Sequence, residues 1–263
     1  MTNAETIRAS LEEHFESFRD LVRYLYDHPE VGNEEYLAQA ALTRALEAHG
    51  FGVTRGIATA TDFIGVYDSG KTGPTLAYLC EYDALPGVGH GCGHNHIAAT
   101  SLAAAVALKA VVDQTGGIIK VMGTPAEENF GGKIALAEAG VFADVDCAMM
   151  LHPGSVNGLG GRSLALIPER FVFKGKSAHA SRAWEGASAL DAAVSTYNLL
   201  NQLRQFVHHG TNIQGIISDG GKAANIIPDS AVLDYYFRAD TMAYCREVQA
   251  RAITCAEAAA LAQ

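Results

Sequence analysis

Apolar residues in the first third of the chain recur at two different spacings. Over residues 4–26 they fall three and four positions apart, which predicts an amphipathic helix ended by the His-Pro pair at 28–29. Asn33 is expected to cap a second helix over residues 36–50. Two apolar runs of strand length then flank a Ser-Gly-Lys-Thr-Gly turn between residues 63 and 79, which predicts strand, turn, strand.

The pattern then alternates between strands and helices. Residues 75–79 are apolar at nearly every position, so both faces of this strand are expected to be buried. A helix is predicted over 97–112, a strand over 117–123, a short helix over 133–139 and a further buried strand over 147–151. Strands that alternate with helices predict parallel pairing with right-handed crossovers.

The order of elements changes near residue 164. The remaining pattern predicts a strand, a helix, two strands and a helix, over residues 164–173, 188–207, 212–218, 231–239 and 244–261. Two adjacent strands between helices are typical of a small α+β domain with an antiparallel sheet. The sequence therefore predicts two domains, one over residues 1–165 and one over residues 166–263.

Composition and charge argue against several classes of function. The chain has 263 residues and a formal charge of -10, which argues against nucleic-acid binding. Its first residues show no secretory pattern, and no uninterrupted apolar stretch reaches membrane-spanning length, so no membrane partner is expected. The five cysteines are odd in number and scattered, which is unlike a disulfide framework. A reducing, cytoplasmic location is expected.

Candidate chemistry is concentrated in residues 80–95, where two carboxylates, two histidines and two cysteines stand among four glycines and a proline. Cys92 and His94 are two positions apart, so in an extended loop both side chains can point the same way. A thiolate and an imidazole suit zinc or another borderline divalent ion. A position at the start of a helix is also expected to lower the pKa of the Cys92 thiol. The alternative is a flexible glycine-rich turn with an incidental cysteine and histidine.

Polar residues also follow two further apolar strands. Glu127 and Glu128 are neighbours in a loop and should point in different directions, so one can bind metal while the other acts as general base toward water. A solvated acidic turn is the alternative. His152 follows the strand over 147–151 and suits a fourth ligand. Asp83 is expected to hold a metal ligand in position rather than to contact the metal itself.

Several motifs together resemble the M20 metallopeptidases, and within them the amidohydrolase branch that includes the aminobenzoyl-glutamate hydrolases. The motifs are EYDALP at 81–86, GCGHN at 91–95, GTPAEE at 123–128 and LHPG at 151–154. The resemblance extends through HPEVGNEE at 28–35, GKSAH at 175–179 and GGKAANIIPD at 220–229. It therefore covers almost the whole chain.

The resemblance implies an α/β fold, with a zinc-peptidase-like, mostly parallel sheet flanked by helices. It also implies an inserted ferredoxin-like lid domain that mediates homodimerisation. The implied metal site is binuclear, with zinc as the first expectation and manganese or cobalt as alternatives. Its ligands would be Cys92, His94, Glu128 and His152. Glu127 would be the general base and Asp83 the supporting acid, while Glu81 would be a bystander.

The implied reaction is hydrolysis of an amide bond in a dipeptide or an N-acyl amino acid. His179 would reach the partner subunit's active site and stabilise the oxyanion, and Asn225 and Arg238 would contact the substrate carboxylate. In the family the chain returns from the lid with a last metal-binding histidine. This sequence ends at Gln263 within a lid helix, so a C-terminal truncation is expected.

Two alternatives to a hydrolase stay open on the sequence. The first is a non-catalytic protein that keeps the lid as a binding or dimerisation module. The second is a redox protein that uses its cysteines, although the sequence contains no C-x-x-C motif.

Overall fold

The computed structural model describes residues 1–129, 131–161 and 163–263. The chain forms two compact units, Met1–Asn157 and Gly158–Gln263, which are called the first and the second unit below. The predicted boundary between residues 165 and 166 lies a few residues beyond this division.

Two helices open the first unit. Helix α1 spans Asn3–Asp27 and begins with a capping box in which Thr2 and Glu5 bond reciprocally to each other's backbone. Helix α2 spans Tyr36–Ala48. The prediction that Asn33 caps α2 is wrong, because Asn33 adopts a positive φ of 68° in the preceding turn. The Glu30 carboxylate instead accepts hydrogen bonds from the first free N–H groups of α2.

A five-stranded sheet forms the centre of the first unit. Its strands are β1 (Gly52–Arg55), β2 (Phe63–Asp68), β3 (Thr75–Cys80), β4 (Ile118–Gly123) and β5 (Cys147–Met149). The order in the sheet is β1-β2-β4-β3-β5. Strands β4 and β5 run parallel to β3, while β1 and β2 pair antiparallel. Strand β2 therefore runs opposite to the other four strands of this mixed sheet, and β4 separates the two strands predicted on either side of the turn.

Two helices connect the parallel strands. Helix α3 (His94–Thr115) follows β3, and α4 (Gly132–Glu138) follows β4. Buried side chains of α1, α2 and α3, such as Leu25, Leu42 and Leu102, form one core with Ile119 and Val121 of the sheet. Helix α3 is long and apolar enough to cross a membrane by length and composition, but most of it is buried in this core.

The last strand of the first unit departs from the prediction. Strand β5 has three residues rather than five, and all three are exposed, whereas a buried strand was predicted over residues 147–151. The sheet order gives the reason, because β5 is an edge strand that pairs only with β3 among the described residues. An apolar run by itself does not distinguish an edge strand from a central one.

The second unit has the predicted order of elements. Strands β6 (Ala165–Lys174), β7 (Asn212–Asp219) and β8 (Ser230–Ala239) form an antiparallel sheet in the order β6-β8-β7. Helices α5 (Ala189–Leu203) and α6 (Met242–Leu261) pack on the face where alternate residues of β8, including Leu233 and Phe237, are buried. The antiparallel α+β prediction is confirmed.

Candidate metal centre

The three polar segments predicted from the sequence meet at one edge of the sheet. Strands β3, β4 and β5 are parallel, so their carboxyl ends lie side by side. Glu81 follows β3 directly, the loop with Glu127 and Glu128 follows β4, and His152 lies three residues beyond β5. Residues far apart in the sequence therefore converge in this loop region.

His94 lies at the centre of this region. It is the first residue of α3, is fully buried, and places Nδ1 at 2.9 Å from the Asp83 carbonyl and 3.0 Å from Asp83 Oδ1. In the neutral ring these two acceptors hold the proton on Nδ1 and leave the lone pair on Nε2. His94 Nε2 has no hydrogen-bond partner among the described residues. Around it lie oxygens of Glu81 at 3.4 Å, Glu128 at 3.9 Å and Glu127 at 4.0 Å.

The side chains fit a divalent metal ion. Cys92, His94 and His152 form one group whose ligand atoms all lie within 4.8 Å of one another, and His94, Glu127 and Glu128 form a second. Cys92 Sγ lies 3.7 Å from His152 Nε2. A sulfur, imidazole nitrogens and carboxylate oxygens are the ligands of zinc and related ions. The buried, unpartnered Nε2 of His94 belongs to both groups and is the atom that a cation would satisfy.

Gly93 permits the close approach of two of these segments. Its φ is 84°, a left-handed conformation that a side chain disfavours. A Cβ at this position would also lie only 2.9 Å from Pro153 Cγ. The glycine between Cys92 and His94 therefore lets the segment that carries His152 pack against them.

Asp83 connects two of the converging segments. Its Oδ1 faces His94, while its Oδ2 accepts a hydrogen bond of 3.1 Å from the backbone N–H of Glu128. Burial alone would raise the pKa of Asp83, but the hydrogen bonds from His94 and from the backbone together lower it. Asp83 is therefore an ionised carboxylate that orients the His94 ring.

Glu127 has the environment of a general base. Burial and the nearby Glu81 carboxylate raise its pKa, partly offset by Lys133. A carboxylate with a raised pKa accepts a proton more readily near neutral pH. Glu127 is also the more exposed member of the acidic pair, since its side chain is 42% exposed and that of Glu128 is 28% exposed.

The expected lowering of the Cys92 pKa is contradicted. Burial, and after it the Glu128 carboxylate as a hydrogen-bond partner and as a charge, together raise the pKa of this thiol to about 11. Burial and the carboxylates around the thiol outweigh the positive end of α3. A thiolate at this position requires a cation beside it, which a metal ion provides.

Sequence reasoning missed Glu35, a buried carboxylate behind the acidic pair. Glu35 Oε1 accepts a hydrogen bond of 2.7 Å from the backbone N–H of Ala126, and Oε2 accepts one of 2.7 Å from the Thr61 hydroxyl. Ala126 has a positive φ of 56°, which is uncommon for alanine, and directly precedes Glu127. No local signal indicated this role, because Glu35 and Ala126 lie 91 positions apart.

The second unit carries the other three predicted residues. His179 is exposed and bonds through Nδ1 to the Ser181 hydroxyl, and the adjacent Ala180 donates its N–H to the Asn225 carbonyl. His179 and Asn225 are thus on neighbouring segments. Arg238 is exposed near the far end of β8, eight residues after Ser230, which corresponds to about 26 Å along a strand. Arg238 is therefore not close to His179 and Asn225.

Comparison with known protein families and sequences agrees with the division of the chain into two units. Residues 166–262 match the M20-type peptidase dimerisation domain. The Xaa-Arg dipeptidase of Mus musculus is 39% identical over 266 residues, which cover 96% of this chain and 62% of that protein. A p-aminobenzoyl-glutamate hydrolase polypeptide of Escherichia coli (strain K12) is 34% identical over 275 residues, 96% of this chain and 57% of that protein. The chain spans about three fifths of the length of these relatives.

Solved structures share the fold. An aminobenzoyl-glutamate utilization protein from Klebsiella pneumoniae superposes with a TM-score of 0.75 at 23% identity, over 99% of this chain and 75% of that one. A dinuclear metal-binding peptidase of the M20 family from Bacillus subtilis superposes with a TM-score of 0.69 at 20% identity, over 95% and 71%. The predicted α/β peptidase fold with an added α+β domain is confirmed.

Proposed function

The chain belongs to the M20 peptidase family, and on that premise we propose that it is part of a metal-dependent hydrolase of amide bonds in dipeptides or N-acyl amino acids. The relatives named for such reactions support the substrate class. The observation that carries the proposal is the buried, unpartnered Nε2 of His94, which lies among carboxylates at the carboxyl ends of three parallel strands.

The proposed ligands are Cys92, His94, Glu128 and His152. Zinc is the proposed metal, with manganese or cobalt as alternatives, in a binuclear arrangement. The two donor groups share His94, and their other members come from three loop segments, which supports a site with room for more than one ion. A bound metal of this kind polarises the scissile carbonyl and lowers the pKa of a water molecule.

The remaining steps belong to the chain's own side chains. Glu127 removes a proton from the attacking water and later returns it to the leaving amine. Its raised pKa and exposed side chain support both halves of this task. Asp83 holds the Nδ1–H of His94 and so keeps Nε2 directed at the metal.

The second unit is proposed to mediate a homodimer and to complete the substrate site. The match of residues 166–262 to a peptidase dimerisation domain supports the homodimer. His179 is proposed to stabilise the oxyanion in the partner subunit, and Asn225 and Arg238 to bind the substrate carboxylate. The adjacency of the His179 and Asn225 segments favours Asn225 for joint action with His179. A cytoplasmic location is also proposed, since all five cysteines are free.

The proposal is tested with Glu127→Gln in the full-length protein. Hydrolysis of an Xaa-Arg dipeptide and of aminobenzoyl-glutamate should fall by a factor of about 10² to 10⁴, because the general base is lost. Metal content measured by atomic absorption should stay unchanged. Glu138→Gln, which alters an exposed glutamate of α4, is the matched control and should keep full activity. Retained turnover in Glu127→Gln would eliminate the general-base role.

A second candidate is a non-catalytic binding or dimerisation module. It is favoured by the match of residues 166–262, nearly all of the second unit, to a peptidase dimerisation domain. A stable dimer that binds metal but hydrolyses none of these substrates would support this second function.

A further inference from the structure

Glu81 has an unusual environment for a residue outside the predicted ligand set. It follows β3 directly and is only 2% exposed. One carboxylate oxygen, Oε1, forms an ion pair with the Lys133 ammonium. The other, Oε2, is buried and has no hydrogen-bond partner among the described residues. A buried carboxylate oxygen without a partner is costly, so a partner is to be expected.

The unpartnered oxygen faces another unpartnered atom. Glu81 Oε2 lies 3.4 Å from His94 Nε2, the shortest approach of any carboxylate to that nitrogen among the described side chains. In the neutral ring, the bonds from His94 Nδ1 to Asp83 leave a lone pair on Nε2. Two lone pairs that face each other in a buried site repel unless a proton or a cation lies between them.

The spacing of these two atoms suits a shared metal ion. Bonds of about 2.0–2.2 Å from zinc to nitrogen and oxygen, at a tetrahedral angle, place the two ligand atoms about 3.4 Å apart. The observed distance between Glu81 Oε2 and His94 Nε2 is 3.4 Å. The corresponding distances from His94 to Glu128 and Glu127, 3.9 and 4.0 Å, are longer. Glu81 is thus the carboxylate already placed at ligand spacing.

We propose that Glu81 is an additional metal ligand, which binds through Oε2 beside His94 while Lys133 holds Oε1. This inference rests on the proposed function, in which a divalent metal occupies the site. The ion pair with Lys133 restrains the carboxylate and favours binding through a single oxygen. Lys133 is accordingly a positioning residue, and Glu81 adds a second carboxylate to the proposed ligands Cys92, His94, Glu128 and His152.

The test uses the full-length protein, freed of metal with a chelator and titrated with Zn²⁺ against a chromophoric competitor. Glu81→Gln keeps the shape of the side chain and should weaken Zn²⁺ affinity by about 10-fold to 100-fold. With Co²⁺, the same variant should show altered visible absorption, because one oxygen ligand is lost. Lys133→Gln breaks the same ion pair but keeps the carboxylate, and should change the affinity by less than about threefold.

Two results would overturn the ligand role of Glu81. Unchanged Zn²⁺ affinity and an unchanged Co²⁺ spectrum in Glu81→Gln would overturn the ligand role and leave Glu81 as a charge partner of Lys133 and of a protonated His94. Equal weakening in Lys133→Gln would also overturn it, since the ion pair would then explain the loss. If Glu81→Gln does not fold, Glu81→Asp withdraws the carboxylate by one methylene and should weaken binding in the same direction. A wild-type protein that binds no metal would instead refute the proposed function itself.

Discussion

The candidate centre has a buried half and an exposed half. Glu81, Asp83 and His94 are each at most 2% exposed, and both carboxylates contact the His94 ring. Glu127, Glu128 and His152 are exposed, and Cys92 lies between these extremes. The buried side chains sit between β3 and α3 in the core of the first unit, while the exposed ones follow β4 and the edge strand β5.

This difference indicates a division of tasks. In the buried half each side chain fixes the next, so the position of the metal and the stability of the fold depend on the same contacts. In the exposed half the side chains are placed by backbone conformation, as at Gly93 and Ala126, and remain accessible to substrate. Changes in the buried half should therefore reduce stability and metal binding together, whereas changes in the exposed half should separate them.

His94→Ala should have the largest effect. It removes the partner of the buried Asp83 carboxylate, and such a loss typically costs about 3–5 kcal/mol of unfolding free energy. Metal binding should be lost as well. Urea unfolding of the metal-free protein, followed by circular dichroism, measures the stability. A loss below about 1 kcal/mol would contradict the view that the buried half stabilises the fold.

Glu35→Ala should have the next largest effect. It leaves the Ala126 N–H and the Thr61 hydroxyl without their acceptor, and each unsatisfied buried group costs about 1–3 kcal/mol. The loop that carries Glu127 should also loosen. Hydrogen exchange of peptides spanning residues 124–129 should be faster than in wild type. Unchanged exchange there would show that Glu35 does not hold this loop.

Glu35→Gln is the matched variant, because it keeps an acceptor and the shape of the side chain. Burial raises the pKa of Glu35, although its hydrogen bonds partly offset this. The stability that a raised carboxyl pKa contributes is full below the unfolded value of about 4.5 and is lost as pH rises through the folded value. Glu35→Gln does not titrate, so its stability relative to wild type should increase with pH over that range. A constant difference from pH 4 to pH 8 would contradict this linkage.

His152→Ala should have the smallest effect on stability. His152 is exposed, its Nδ1 bonds to the neighbouring Pro153 carbonyl, and its Nε2 lies 3.7 Å from Cys92 Sγ, so the unfolding free energy should change by less than about 0.5 kcal/mol. Zn²⁺ affinity should nevertheless fall about tenfold or more, because a proposed ligand is removed. His209→Ala, at an exposed histidine outside the centre, should change neither quantity. Loss of stability without loss of metal affinity would contradict the proposed division of tasks between the buried and the exposed half.

Much of the fold could be predicted because its information is local. The spacing of apolar residues predicts α1, α3 and the strands and helices that form the core of the second unit. Strand β1 and the residue that caps α2 were not predicted correctly. Strand β1 has four residues and little apolar character, and the cap of α2 comes from Glu30, seven and eight positions before the groups it satisfies.

The sequence by itself determined which segments carry metal-capable side chains, since motifs such as GCGHN and GTPAEE combine those residues within a few positions. Which of these side chains are buried and which are exposed depends on the tertiary structure. It buried Glu81 against His94, paired it with Lys133 from 52 positions away, and placed Glu35 behind Ala126 from 91 positions away. It also surrounded Cys92 with carboxylates that raise the pKa of its thiol. Burial and charge proximity depend on contacts between distant segments, and no local pattern encodes them.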